Sequence, residues 1–178
     1  KILDVGCGSG QFLYEMKQFN MEVYGIEPGN FDKKTAKEFN IKSDLIKAKY
    51  PKNFFEVITI NHVLQHVLNP SEMVKEMHRI LGKKGILIFG VSNYNSLAYY
   101  LFGKNWYQLD VPRHLFNFSN KTLIKFLKEN GFSIIKVRYN SRPGQFADSL
   151  YYLLGIKERK GIPYKISKAV FLPLTWIV

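Results

Sequence analysis

The residues best suited to bind a ligand near the start of the chain lie in the stretch ILDVGCGSGQF, which has three glycines at alternate positions. Gly6 suits a tight turn, Gly8 lets a ligand lie against bare backbone, and Gly10 lets a following helix pack closely. The dinucleotide-binding spacing is GxGxxG, but Gln11 stands where that pattern needs its third glycine. The GxGxG spacing, with Asp4 ahead of it, favours a ligand that presents an ammonium group.

Polar residues also follow the later apolar runs. Glu27 lies about 20 residues beyond the glycines, where an acid accepts hydrogen bonds from both ribose hydroxyls of an adenosine ligand, and Pro28 stiffens its turn. Asp44 follows a weaker strand pattern and is expected either to accept from an adenine amino group or to be a surface acid. Asn61 and His62 follow a strong strand pattern, and their backbone is expected to line the floor of the same pocket.

Two of the four histidines are candidates for an acid–base role. Histidine is the natural base near neutral pH if a hydroxyl acceptor must lose its proton. His114, next to Arg113, is the first candidate for acceptor contact or for the base. His66 is the second. The structural alternatives are that His114 and Arg113 pin a loop and that His66 caps a helix.

The secondary structure that would position these residues is indicated by the apolar runs of the chain, which alternate between strand and helix patterns. The strand patterns cover residues 1–5, 21–27, 41–43, 55–61, 86–93 and 132–140, and the helix patterns cover residues 9–20, 30–40, 69–85, 119–132, 144–155 and 165–178. This alternation predicts an α/β fold with a Rossmann-like, doubly wound, mostly parallel sheet and helices on both faces. Ligands of such sheets bind at the carboxyl ends of the strands.

The strand–helix alternation is interrupted over residues 92–118, which are dense in aromatic residues. We expect this segment to be a cap insertion over the acceptor site, within a core domain of residues 1–140, with residues 141–178 as a helical extension. Trp106, Tyr107 and the Tyr99–Tyr100 pair are candidates for an aromatic wall against the acceptor, or for ordinary core packing. The chain starts inside a strand pattern and ends in an apolar run, so both ends read as truncated.

The composition limits the cellular setting. The net charge of +12 fits either a generic solvated surface or a functional basic face, and the single cysteine fits a reducing cytosol. The terminal apolar run is shorter than the roughly 20 residues of a spanning helix. We therefore expect a cytoplasmic protein. Residues 165–178 are expected to pack on the domain or to make peripheral membrane contact.

The motifs ILDVGCGSGQFL, GIEPG, FFEVITINHVLQHVLNP and EMHRILGKKGILIFGVSN, in this order, resemble those of class I S-adenosylmethionine-dependent methyltransferases. The segment LFGKNWYQLDVPRHLFNFSNKTLIKFLKENGF resembles a small-molecule subgroup similar to the ubiquinone-biosynthesis O-methyltransferases. The resemblance implies S-adenosylmethionine as cofactor, held at its amino-acid portion, ribose, adenine and sulfonium by Asp4, Gly6, Cys7, Gly8, Gly10, Glu27, Asp44, Asn61 and His62. One departure is Gln65, where the family commonly has Glu.

The resemblance implies methyl transfer to a small-molecule acceptor, at a hydroxyl oxygen, in polysaccharide, lipid-linked or quinone biosynthesis, with no metal required. Three alternatives remain. A nicotinamide (NAD-dependent) oxidoreductase would share the sheet and the ribose acid, but the glycine spacing disfavours it. An RNA- or other nucleic-acid-directed methyltransferase fits the charge, but NHVL stands where an Asn/Asp-Pro-Pro-aromatic motif is expected, so no nucleic-acid partner is predicted. The third is a binding module that keeps the fold without catalysis.

Overall fold

The computed structural model of the chain describes residues 1–156. Residues 1–91 together with 126–132 form a first compact unit, and residues 92–125 together with the described residues from 133 onward form a second. The helix predicted over 165–178 lies outside the described residues. Among the described residues, no helix is both long enough and apolar enough to cross a membrane.

The first unit is built on a sheet of five parallel strands. The strands are β1 (Ile2–Val5), β2 (Val23–Ile26), β3 (Ile41–Lys42), β4 (Phe55–Asn61) and β5 (Leu81–Gly90). Their order across the sheet is β3-β2-β1-β4-β5, so β1 lies at the centre and the order reverses there. The predicted doubly wound parallel sheet is confirmed, and its switch point is beside β1.

Three helices connect the strands of the first unit. They are α1 (Gln11–Gln18), α2 (Lys33–Glu38) and α3 (Pro70–Ile80). The carboxylate of Asp32 accepts the free N–H groups at the start of α2, and the side chain of Asn69 does the same for α3. Right-handed crossovers on the two sides of β1 place α1 and α2 on one face of the sheet and α3 on the other.

The two faces of the sheet differ in polarity. On the α3 face, the inward side chains are fully buried apolar residues, among them Leu3, Ile58 and Ile60. On the other face, Ile2 and Val57 pack in a cluster with residues of α1, but the next row toward the carboxyl ends of the strands is polar or lacks a side chain. The sheet therefore has an apolar amino end and a polar carboxyl end on this face.

The second unit packs around an aromatic core. Its described helices are α4 (Leu97–Phe102), the start of α5 (Asn120–Glu129) and α6 (Pro143–Leu153). Trp106 is 1% exposed and packs with Ala98 of α4 and Phe146 of α6. The buried hydroxyl of Ser149 accepts the N–H of Tyr107, which joins α6 to the segment before it. The sequence predicts a cap at Ser119 or Asn120, and Ser119 caps α5 by accepting the N–H of Thr122.

The structure differs from the sequence-based expectations at three places. Residues 132–140, predicted as a strand, form none and pair with no strand of the described residues, and Ile135 is 83% exposed. Strand β5 begins at Leu81, directly after α3, rather than at residue 86. The helix pattern of residues 9–20 predicts Phe12, Met16 and Phe19 on one apolar face. Phe19 instead lies just beyond the end of α1 and is exposed, and Leu13 is buried.

Replacing Leu13 with Ala is expected to lower the free energy of unfolding by about 2–5 kcal/mol, because the fully buried side chain would leave a cavity between α1 and the sheet. Urea denaturation measures this change. The matched control is Tyr14→Ala, one residue along the same helix, where the exposed ring predicts a change within about 0.5 kcal/mol. Equal changes in the two variants would contradict the packing described for α1.

Candidate functional site

The glycine loop between β1 and α1 has the left-handed backbone that only glycine adopts readily. The φ angles of Gly6, Gly8 and Gly10 are +78°, +52° and +79°. A Cβ atom at Gly6 would overlap the side chain of Val63, and one at Gly10 would touch the ring of Phe39 at 3.4 Å. A Cβ at Gly8 would meet no atom within 4 Å. Gly8 therefore borders open space in which a ligand can approach the backbone.

Backbone hydrogen bonds hold this loop against the end of β2. The N–H groups of Gly6 and Cys7 donate to the carbonyl of Ile26 at 2.7 and 3.1 Å. Burial, and next the nearby carboxylates of Asp4 and Glu27, raise the pKa of the Cys7 thiol to about 12. Cys7 therefore stays protonated near neutral pH and serves as a small buried residue of the turn.

Glu27 joins the glycine loop to the turn after β2. One carboxylate oxygen accepts the N–H of Gly8 at 3.0 Å, and the other accepts the N–H of Gly29 at 3.0 Å. The structure thus places this acid at the loop, next to the glycine that borders open space. Its expected hydrogen bonds to ribose hydroxyls stay a prediction, and so does a role for Pro28, which lies in the same turn.

Asp4 is a buried acid without a cationic partner in the described part of the chain. Its side chain is 7% exposed, and it accepts a hydrogen bond of 2.6 Å from the hydroxyl of Thr59. Burial raises the pKa of the Asp4 carboxyl, and the Thr59 hydrogen bond opposes this shift. A buried carboxylate with only a neutral donor is a site that an ammonium group would complete.

The remaining predicted cofactor residues lie at the carboxyl ends of β3 and β4, in the same sheet. Asp44 is half-buried and accepts the N–H of Lys47 at 2.7 Å, so one of its oxygens caps a turn. Asn61 ends β4. His62 follows it with a φ of +55° and donates its N–H to the carbonyl of Gly90 at 2.8 Å. The adenine and sulfonium contacts expected for these residues stay predictions.

Gln65 and His66 occupy a short 3-10 turn after β4. The Gln65 side chain is buried, with its amide nitrogen 3.5 Å from Nδ1 of His62 and its amide oxygen without a hydrogen-bond partner in the structure. His66 is exposed, and its N–H donates to the carbonyl of Val63. Gln65 thus lies beside the ring of His62, and the base role expected for His66 stays a prediction.

The predicted acceptor residues lie in the second unit. His114 is held through its Nδ1, which donates to the carbonyl of Gln108 at 2.8 Å. Its Nε2 is 3.9 Å from Oδ2 of Asp110, which forms an ion pair only with the protonated ring. Arg113 forms an ion pair with Asp110 at 2.7 Å. The contacts of His114 and Arg113 hold their loop in place, which is the structural alternative given for these two residues. They also leave Nε2 as the basic nitrogen of neutral His114, because the carbonyl fixes the proton on Nδ1.

The aromatic residues of the second unit divide between core and surface. The burial of Trp106 and its edge contact with Tyr99 favour core packing over the acceptor wall. Tyr107 is half-buried and Tyr100 is exposed, so an acceptor contact stays a prediction for Tyr107.

The structure brings together in the first unit the predicted set Asp4, Gly6, Cys7, Gly8, Gly10 and Glu27. Sequence reasoning missed Thr59, Val63 and Phe39, which contact Asp4, Gly6 and Gly10 respectively. None carries a sequence signal, because apolar and β-branched residues are ordinary in strands and helices. Within residues 1–156, no group of three or more His, Cys, Asp or Glu side chains is arranged to hold a metal ion.

A parallel sheet with this glycine loop at its switch point and an acid after β2 defines an α/β protein with a nucleotide-type site at the carboxyl ends of its strands. Residues 1–137 match the family described as "Methyltransferase domain", and the chain belongs to this family. S-adenosylmethionine is the cofactor of the family. The Asp4 carboxylate, which has no cationic partner among the described residues, and the open space at Gly8 are compatible with this cofactor.

Two relatives show what this chain is similar to in sequence. An uncharacterized protein of Methanocaldococcus jannaschii is 28% identical over 96% of this chain and 64% of its own length. A ubiquinone biosynthesis O-methyltransferase of Saccharophagus degradans is 32% identical over 56% of this chain and 46% of its own length. The chain thus spans about half to two thirds of the length of these relatives.

Solved structures share the fold. A SAM-dependent methyltransferase of Archaeoglobus fulgidus superposes with a TM-score of 0.63 at 25% identity, covering 79% of this chain and 64% of that one. The [4+2]-cyclase SpnF superposes with a TM-score of 0.64 at 23% identity, covering 97% and 67%. The second likeness shows the fold alone.

Replacing Gly8 with Ala is expected to lower the affinity for S-adenosylhomocysteine at least tenfold, because the new Cβ enters the open space beside the loop. Isothermal titration calorimetry measures the affinity. The matched control is Gly103→Ala, at a glycine with a φ of +51° and no atom within 4 Å of its Cβ position. Both glycines have a positive φ, so Ala strains the backbone at either position. Equal losses of affinity in both would contradict the placement of the ligand at Gly8.

Proposed function

We propose that this chain is the cofactor-binding part of an S-adenosylmethionine-dependent methyltransferase that methylates a small-molecule acceptor at a hydroxyl oxygen. The observation that carries the proposal is the buried carboxylate of Asp4 beside the glycine loop, which has no cationic partner among the described residues. An acid in this position favours a ligand with an ammonium group over a pyrophosphate, because a second negative charge near a buried carboxylate is unfavourable.

The residues of the first unit have distinct roles in this proposal. Asp4 balances the ammonium group, Glu27 accepts from the ribose hydroxyls, and Gly8 gives the ligand access to the backbone. When bound, S-adenosylmethionine supplies a methyl group on a positively charged sulfur, ready for in-line displacement. The protein contributes orientation and exclusion of water, so no nucleophilic side chain is needed.

Oxygen as the methylated atom is supported by two observations. Several relatives are named ubiquinone biosynthesis O-methyltransferase, at 26–32% identity. In the second unit, Nε2 of His114 is the basic nitrogen of a ring whose orientation the Gln108 carbonyl fixes. A base of this kind accepts the proton that a hydroxyl acceptor loses on methylation.

Binding of S-adenosylhomocysteine rather than NAD is the direct test of this function. We expect the thermal unfolding midpoint of the protein to rise with S-adenosylhomocysteine, because a ligand that binds only the folded state stabilises it. NAD at the same concentration should leave the midpoint unchanged, since the glycine spacing does not fit a dinucleotide. Stabilisation by NAD alone would overturn the proposal in favour of an oxidoreductase.

His114→Ala and His114→Asn together separate a base from a structural residue. An Asn side chain can keep the donor to the Gln108 carbonyl but lacks the basic nitrogen. If His114 is the base, both variants should lose about 10²-fold or more in turnover, measured with radiolabelled methyl donor, with unchanged affinity for S-adenosylhomocysteine. Recovery of turnover in His114→Asn would show that the residue only pins its loop.

A further inference from the structure

The geometry points to Thr59 as a positioning residue that holds the carboxylate of Asp4 ready for the ammonium group of the cofactor. This inference rests on the proposed function, because it assigns Asp4 to the ammonium group. Thr59 lies in the middle of β4, 55 residues from Asp4 in sequence, and although the motif FFEVITINHVLQHVLNP contains it, the sequence assigns it no role.

The sheet register brings the two side chains together. Asp4 on β1 pairs with Thr59 on β4 and with Gly25 on β2. Aligned residues of neighbouring parallel strands point to the same face, so Asp4 has Thr59 on one side and a residue without a side chain on the other. The space on the Gly25 side is filled, since a Cβ there would lie 2.8 Å from Sγ of Cys7. Thr59 is therefore the strand neighbour that can donate to Asp4.

The hydroxyl of Thr59 is directed at the carboxylate. Its Oγ1 is 2.6 Å from Oδ1 of Asp4 and 3.4 Å from the carbonyl of Leu3, and the residue is 3% exposed. The single hydroxyl proton therefore goes to the charged acceptor at the shorter distance. Hydrogen bonds to charged groups are shorter and stronger than neutral ones, and a buried one also fixes the orientation of the carboxylate.

The charges around Asp4 make this donor important. The charged groups that act on Cys7 in the neighbouring loop are the carboxylates of Asp4 and Glu27, so these titratable groups bring no positive charge. Burial favours the protonated form of Asp4, and the Thr59 hydrogen bond opposes this, which lowers the pKa of the carboxyl from where burial alone would place it. Because an ammonium group binds the ionised form, affinity should fall as the pH falls through the pKa of Asp4.

The test compares Thr59→Val, which keeps the shape and removes the hydroxyl, with Thr59→Ser, which keeps the hydroxyl. Calorimetric titration with S-adenosylhomocysteine gives the affinity at each pH, and carbon-13 NMR of the Asp4 carboxyl in the ligand-free protein gives its pKa. We expect Thr59→Val to raise this pKa, move the acid limb of the affinity profile to higher pH, and weaken binding about tenfold at the acidic end. Thr59→Ser should follow the wild-type profile.

The outcomes separate this inference from the proposed function. If the wild type binds no S-adenosylhomocysteine at any pH, the proposed function falls. If the wild type binds and Thr59→Val keeps both the wild-type pKa of Asp4 and the wild-type profile, the positioning role falls. An affinity loss in Thr59→Val that is uniform across pH, with an unchanged Asp4 pKa, also overturns it, because that result indicates a packing defect. Thr59→Ala serves as a second hydroxyl-free variant if the Val variant does not fold.

Discussion

The carboxyl group of Asp4 lies inside the protein at the end of the central strand, and the unfavourable burial of its charge accounts for much of the surrounding arrangement. A buried carboxylate requires donors or a counter-charge. The described residues supply one donor, the hydroxyl of Thr59, and no cation. The site therefore has an unbalanced negative charge, which a cationic ligand neutralises. In the ligand-free protein, a raised pKa means that this acid lowers stability as the pH rises through it.

The rest of the cofactor site supplies backbone rather than side chains. The positive φ angles of the glycine loop, and the absence of a side chain at Gly8, expose peptide groups next to open space. Glu27 holds this loop by accepting the N–H of Gly8. The charged groups, Asp4 and Glu27, therefore lie at the ends of β1 and β2. Hydrogen bonds to the Ile26 carbonyl and to Glu27 hold the glycine loop in place. Such a site is largely formed before its ligand arrives.

The acceptor side has a different basis. His114, Arg113 and Asp110 form a local cluster in the second unit, in which each side chain has a partner within a few residues. A sequence search for histidines finds His114, but it does not show that a carbonyl fixes its tautomer. The similarity of the fold to the cyclase SpnF underlines that the sheet alone does not set the reaction.

The sequence by itself determined the parallel sheet, the glycine loop and the acids after β1 and β2, because strand periodicity and turn chemistry are local properties of the chain. It did not determine that residues 132–140 would lack a strand, since a strand pattern becomes a strand only where the edge of another strand pairs with it. Only the tertiary structure decided that Thr59 meets Asp4. The register between strands 55 residues apart is set by packing of the whole sheet, and no local pattern encodes it.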